Sequence, residues 1–424
     1  MVKKLNSRDI EIMAPVGSYE SLMAAIQGKA DAVYFGIGHL NMRSKSTLNF
    51  TSRDLKSISE ICRENHIQSY ITLNSVIFDE ELAIMRTIID DAKTSGITAI
   101  IASDQAAIQY ARQVGMEVHM STQTNITNIE AVRYYSNYTD VMVTARELNL
   151  EQVGTITAAI EKDQIKGPSG RLVKIEVFAH GALCMAVSGK CYLSLDNLNS
   201  SANRGACLQV CRRPYKVFDR DGDVELEIDN QYIMSPKDLK TIDFIDKILE
   251  AGVKVLKIEG RGRSPEYVKT VTRCYREAVD AYCDGAYNKD KIKQWNLDLE
   301  KVYNRGFWDG YYLGRKMGEW TGQYGSQATR KKVYVGKITN YFSKSAIAEV
   351  KIEAHPLQTG DDILIIGPTT GVVEDKINEI WLDETKIDKT VKGDLCTIPV
   401  GTFLRPSDKL YKWADSKEVT TQSD

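Results

Sequence analysis

The chain holds 424 residues, with 55 Lys and Arg against 57 Asp and Glu, for a formal net charge of −2. That balance excludes a generally basic nucleic-acid clamp. With 43% hydrophobic and 26% charged residues it also excludes a disordered chain, whose apolar content is too low to bury a core. The charged start Met1-Val2-Lys3-Lys4 has no apolar stretch behind its lysines, and the uncharged segment between Glu176 and Lys190 is far short of the roughly 20 apolar residues of a membrane span. No membrane partner is expected, and a cytoplasmic location is. In that reducing compartment the eight cysteines should be thiols rather than disulfides.

In chain order, short apolar runs at 11–14, 32–35, 69–73, 99–102, 117–120, 140–143, 175–178 and 255–258 read as strands. Between them, segments such as 52–65, 80–95 and 242–251 carry apolar residues at three- and four-residue spacing, as helices covering a parallel sheet must. Gly28, Gly96, Gly115 and Gly252 fall where helices should end. Eight β-then-α units predict an α/β fold, a TIM-like (β/α)8 barrel, over residues 1–325. An open doubly wound sheet is the rival, but no Gly-x-Gly-x-x-Gly follows the first strand and no Walker-type Gly-Lys-Ser/Thr occurs. Barrel chemistry sits on the loops after strands, which singles out Asn74, Ser103, the run from His119 through Gln123, Arg146-Glu147, His180 and the run Lys257-Ile258-Glu259-Gly260-Arg261.

The stretch between the last two barrel strands is far longer than one helix requires, and it reads as a functional insertion at about 181–235. After Trp320 a Gly-rich linker leads to a strand-rich tail with turns at Pro356, Gly360 and Gly367-Pro368, which predicts a small C-terminal β-barrel over 326–424.

The insertion holds Cys184, Cys191, Cys207 and Cys211, separated by six, fifteen and three residues. Four thiolates can ligate an iron–sulfur cluster or a structural zinc, and only the last pair has the close spacing zinc sites favour. Four packed thiols are the bland reading, with little apolar context nearby to pack into. His119 and His180 follow strands and read as acid–base groups at the mouth or as hydrogen-bonded packing residues. Glu147 and Glu259 each lie near an arginine, Arg146 and Arg261, so each is a rim ion pair or part of a catalytic and substrate-binding set. Arg261 and Arg263 could fix an anion, while Arg212 and Arg213, beside Tyr215 and Lys216, are either a solvated face or a nucleic-acid contact. No His-Glu-x-x-His or Gly-x-Ser-x-Gly is present.

Glu176, Phe178, Gly181, Ala182, Leu183, Cys184, Gly189, Cys191, Leu193 and Ser194 fill every fixed position of a signature of the collagenase-like peptidase family U32, which the chain resembles over nearly its whole length. Ala14-Pro15, Asn41 with Arg43, Ser121 with Gln123, Arg146-Glu147-Leu148 and the Lys257 to Arg261 run add to the likeness. Gly205, Cys207, Cys211 and Arg212, with the trailing β-domain, are most similar to the branch that hydroxylates tRNA. That resemblance implies 5-hydroxyuridine formation at the wobble position of the anticodon loop, with prephenate as a small anionic hydroxyl source. It also implies an iron–sulfur cluster, read as 4Fe-4S, on the four cysteines. His119, His180, Glu147 and Glu259 would then be catalytic, and Gln123, Arg146, Arg261, Arg263, Arg212 and Arg213 would meet substrate. The alternative is the older family label, a collagenase-like peptidase. One departure is Gly262-Arg263-Ser264, where the family often has Met-Lys-Ser.

Overall fold

A computed structural model describes residues 5–44, 49–216, 232–314 and 319–416. Part of the expected insertion, 217–231, lies outside the described residues. The eight expected strands form, as β1 (Glu11–Pro15), β2 (Ala32–Gly36), β3 (Gln68–Leu73), β4 (Ala99–Ala102), β5 (Glu117–Met120), β6 (Val141–Val143), β7 (Lys174–Ala182) and, after an intervening strand, β9 (Val255–Ile258). Each pairs in parallel with its neighbour, and β9 closes the ring on both sides, with Glu11 opposite Val255 on β1 and Glu176 opposite Val255 on β7.

Alternation across the pleat decides what faces where. Met13, Tyr34, Tyr70, Ile101, Val141 and Val255 point into the lumen. Ile12, Val33, Ile71, Ile100 and Leu256 point outward into the main core under the helices. The helix Leu150–Lys162 shows how the outer ring is specified. Asn149 and Gln152 form a reciprocal capping box at its start, and Leu150, Val153, Ile156 and Ile160 bury one face. Gly96, Gly115 and Gly252 take the left-handed conformation expected at helix ends. Gly28 differs, with a right-handed φ of −75°. Its need for glycine is close approach, since a Cβ there would stand 2.8 Å from Thr272 Cβ.

Strand β7 outruns the barrel. Its last three residues pair antiparallel with β8 (Asp238–Lys240), and β10 (Phe307–Trp308) continues this ledge outside the ring. The cysteine-bearing segment leaves from the end of β7 and returns at β8, so it overhangs the C-terminal mouth.

Residues from Arg330 onward form an eight-stranded antiparallel sheet with its own core, including Val335, Ile338, Val350, Ile363, Ile398 and Leu410. Its Leu364, Ile366 and Val372 instead join the barrel core. The Gln27 side chain bridges the seam, donating to Thr370 O at 2.9 Å and accepting from Val372 N at 2.9 Å. Among the described residues, no helix is long and apolar enough to cross a membrane.

Candidate functional site

A cavity of about 1240 Å³, its open mouth included, sits at the C-terminal end of the barrel beneath the cysteine-bearing segment. Its floor is made by lumen-facing residues at the strand ends. Phe178, Lys257 and Glu259 reach it from β7, β9 and the loop after β9, Ile101 from β4, and Thr72 from β3. Gly181 lets the wall close. Its φ is +104°, and a Cβ there would lie 2.3 Å from Glu259 O, so only glycine lets the ledge approach that loop.

Five basic side chains line the cavity, Arg43, Arg146, Arg212, Lys257 and Arg261, against one carboxylate, Glu259. In a chain of net charge −2 that excess makes the cavity locally positive. Arg261 is 6% exposed and donates to Asn41 Oδ1 at 3.1 Å and Thr72 Oγ1 at 2.9 Å. Burial pulls its guanidinium down to about 10, against the opposing influence of Tyr34 and Glu259. Burial alone would push the Glu259 carboxyl up, but Arg43, Arg261 and Lys257 outweigh it and hold it below the usual carboxylate range. Arg43 Nη2 stands 3.0 Å from Glu259 Oε1, and the Tyr34 hydroxyl donates to Ile258 O and Glu259 Oε2 at 2.9 and 3.2 Å. Lys257 Nζ pairs with Glu176 Oε1 at 2.8 Å, both side chains being buried. The second Glu176 oxygen has no hydrogen-bond partner among the described residues.

All four cysteines of the insertion line this cavity, and none is in a disulfide. Burial pushes the Cys211 thiol up to about 11, with Arg212 pulling the other way. Among the described residues no three His, Cys, Asp or Glu side chains stand close enough to hold a metal ion as they are. The sulfurs therefore share one space without being drawn together. As a donor set, four thiols beside Arg212 and Arg43 fit an iron–sulfur cluster, whose bound thiolates bring negative charge that those cations offset.

Nine of the residues given a ligand, catalytic or substrate-binding role from sequence line the cavity: the four cysteines with Gln123, Arg146, Arg212, Glu259 and Arg261. Arg212 is a clamp that donates to Leu183 O and Pro236 O at 2.6 Å each. Five others lie elsewhere. His180 points out of the barrel, against Tyr275 and Tyr267, because a register shift in β7 between Phe178 and His180 pairs it with outward-facing Ile258. Without that bulge, the alternation from Glu176 through Phe178 would carry His180 into the cavity. His119 does face the lumen, but one layer below cavity-lining Ser121, its ring tilted against that of Tyr70 at 4.5 Å and 3.2 Å from Glu117. Glu147 is exposed to solvent beyond the wall. Arg263 is drawn behind the rim, its guanidinium 3.5 Å over the Tyr303 ring and 3.9 Å from Asp238. Arg213 is exposed outside the cavity. Sequence reasoning picked out Lys257 within the run from Lys257 to Arg261 but gave it no role, and it did not single out Tyr34 or Thr72. A lysine inside an apolar strand, in step with Glu259, was the available signal for the first.

Comparison with known proteins fits this geometry. The sequence profile of peptidase family U32 matches residues 17–322, which is the barrel from the end of β1 onward with its ledge and insertion. The chain belongs to peptidase family U32. A relative in Porphyromonas gingivalis named "Collagenase" is 59% identical over 98% of this chain and all of its own length. The "tRNA hydroxylation protein P1" of Bacillus subtilis is 32% identical, covering 89% of this chain and 88% of its own. The "23S rRNA 5-hydroxycytidine C2501 synthase" of Escherichia coli is 32% identical over 74% of this chain but only 46% of its own length. The U32 signature positions now have physical roles in this chain. Glu176 holds Lys257, Phe178 forms floor, Gly181 permits the close ledge, and Cys184 and Cys191 face the cavity.

Proposed function

We propose that this U32 chain is an RNA-modifying enzyme that hydroxylates the wobble uridine of tRNA to 5-hydroxyuridine. Cys184, Cys191, Cys207 and Cys211 would hold an iron–sulfur cluster, read as 4Fe-4S. A small carboxylate such as prephenate would serve as hydroxyl source. The observation that carries this reading is a cavity lined by four thiols and by five cations against one carboxylate, with no histidine among its lining residues. A peptidase needs a nucleophile within reach of a base. The one carboxylate in the lining, Glu259, is taken up by Arg43 and Tyr34. The likeness to the Bacillus subtilis protein over most of both chains adds support.

In this reading the cluster supplies a site for electron transfer or Lewis-acid binding. The chain's own residues do the rest. Lys257 and Arg261 present buried positive charge at the floor, where a carboxylate finds charge-assisted hydrogen bonds. Glu176 and the Asn41–Thr72 pair keep those two cations in place. Arg146, held by a 2.6 Å hydrogen bond to Ser188 Oγ, covers the Phe178 side. Adding a hydroxyl at a ring carbon removes two electrons from the base, so the bound anion is the partner that must deliver oxygen and accept them. The base itself must leave its stack to enter the cavity, which loop nucleotides do at low cost.

Peptide hydrolysis takes its support from the 59% identical relative named "Collagenase". One pair of assays separates the two. Wobble uridines are compared by mass spectrometry in cells with and without the gene, in a host lacking another route to the modification, and the pure protein is offered denatured collagen. The account expects 5-hydroxyuridine to vanish without the gene and collagen to stay intact. Unchanged 5-hydroxyuridine together with cleaved collagen would reverse the conclusion.

A further inference from the structure

Among the described residues, eighteen large apolar side chains are substantially exposed, and seven of them lie on the cysteine-bearing segment over the cavity or on the loop fastened to it. Met185, Val187, Tyr192, Leu195 and Leu208 belong to the cysteine-bearing segment. Val76 and Phe78 come from the loop after β3 and are fastened to the same segment. Val76 N donates to Asn203 O at 3.0 Å, and the Arg204 guanidinium lies 3.8 Å over the Phe78 ring. Met185 and Val187 also line the cavity, so this apolar set reaches from the outside into the mouth. Scattered exposed apolar residues need no explanation, but a contiguous set at a cavity rim marks a binding surface.

Charge narrows the occupant. Residues 184–216 contain five basic side chains and one acidic one, in a chain that is nearly neutral overall. Lys190, Arg213 and Lys216 stand exposed. Tyr192, next to Cys191, is 75% exposed, an aromatic face held out toward water beside positive charge. Aromatic faces bordered by cations suit single-stranded nucleic acid, because every base has a stackable face and every linker a phosphate.

We propose that this rim is the platform on which the RNA loop lies, an inference that rests on the RNA reading above. A base flanking the target stacks on Tyr192. Met185 and Val187 line the route of the extruded base into the cavity. Lys190, Arg213 and Lys216 meet the flanking phosphates.

The test is a fluorescence-anisotropy titration of a labelled anticodon stem-loop, uridine at its wobble position, with the full chain purified anaerobically. Tyr192→Ala should weaken binding about tenfold, the order expected for losing one stacked base, while Tyr192→Phe binds as wild type does. Arg213→Gln should lower the slope of log Kd against log salt by about one, a slope Tyr192→Ala leaves alone. Unchanged melting curves show that the variants are folded. If wild type and Tyr192→Ala bind the stem-loop equally, the rim assignment is overturned and the RNA reading stands. If wild type binds no stem-loop and the cellular wobble uridines are also unaffected, both fall. Binding of denatured collagen that Tyr192→Ala weakens, with stem-loop binding untouched, would give the rim to a protein ligand and overturn the proposal.

Discussion

Burial pulls the His180 imidazole down to about 3, with the charges of Lys240 and Arg263 adding to the shift. The folded value lies below the ordinary 6.5, so as pH falls the unfolded chain takes up this proton first. The group therefore leaves stability untouched above about pH 6.5 and erodes it below, by up to ~1.4 kcal/mol per pH unit until the folded pKa is reached. His180→Gln cannot titrate, so its urea midpoint should fall less between about pH 6.5 and pH 4.5 than that of wild type. Equal acid sensitivity in the two proteins would show that this imidazole is not buried neutral. For Lys257 the prediction concerns its partner. Lys257→Met leaves the Glu176 carboxylate buried without its cation, which should cost about 3 kcal/mol or more in urea unfolding. Adding Glu176→Gln should restore much of that, and a double variant no more stable than the single one would contradict the pairing.

Among the elements, β7 carries the most consequence, because it is at once a barrel strand, a ledge strand and the root of the cysteine segment. Gly181→Ala would place a Cβ 2.3 Å from the Glu259 carbonyl oxygen in a backbone region that disfavours side chains. The expected outcome is a loss of about 2 kcal/mol or more, read as a lowered unfolding midpoint. A variant as stable as wild type would mean that the ledge is not fixed to the loop after β9. The same strand shows where sequence reading reaches its limit. The run 175–178 was legible as a strand, and the alternation of its pleat carries Glu176 and Phe178 to the lumen side. The bulge before His180 was not legible, because one extra residue leaves no mark in composition yet turns every later side chain to the other face. Arg263 escaped for another reason. Its stacking on Tyr303 and its approach to Asp238 are long-range contacts that no local pattern encodes.

At the scale of the molecule, the eight strands, their order and the cysteine insertion were readable from apolar periodicity and one spacing anomaly. The docking of the C-terminal sheet on the barrel was not, since Gln27 and Val372 are 345 residues apart. Leu364, Ile366 and Val372 complete the barrel core, and Lys332 pairs with Glu266 across the seam at 2.9 Å. The two parts should therefore unfold together in one calorimetric transition. Two resolved transitions would show a seam too weak to couple them. The functional account as a whole depends on what four sulfurs in one cavity hold. The most direct measurement is the iron, acid-labile sulfide and zinc content of the anaerobically purified full chain, alongside a Cys191→Ala variant. The account predicts iron and sulfide in equal amounts, about four of each per chain, both lost in the variant. Stoichiometric zinc without sulfide in the wild-type protein would contradict it.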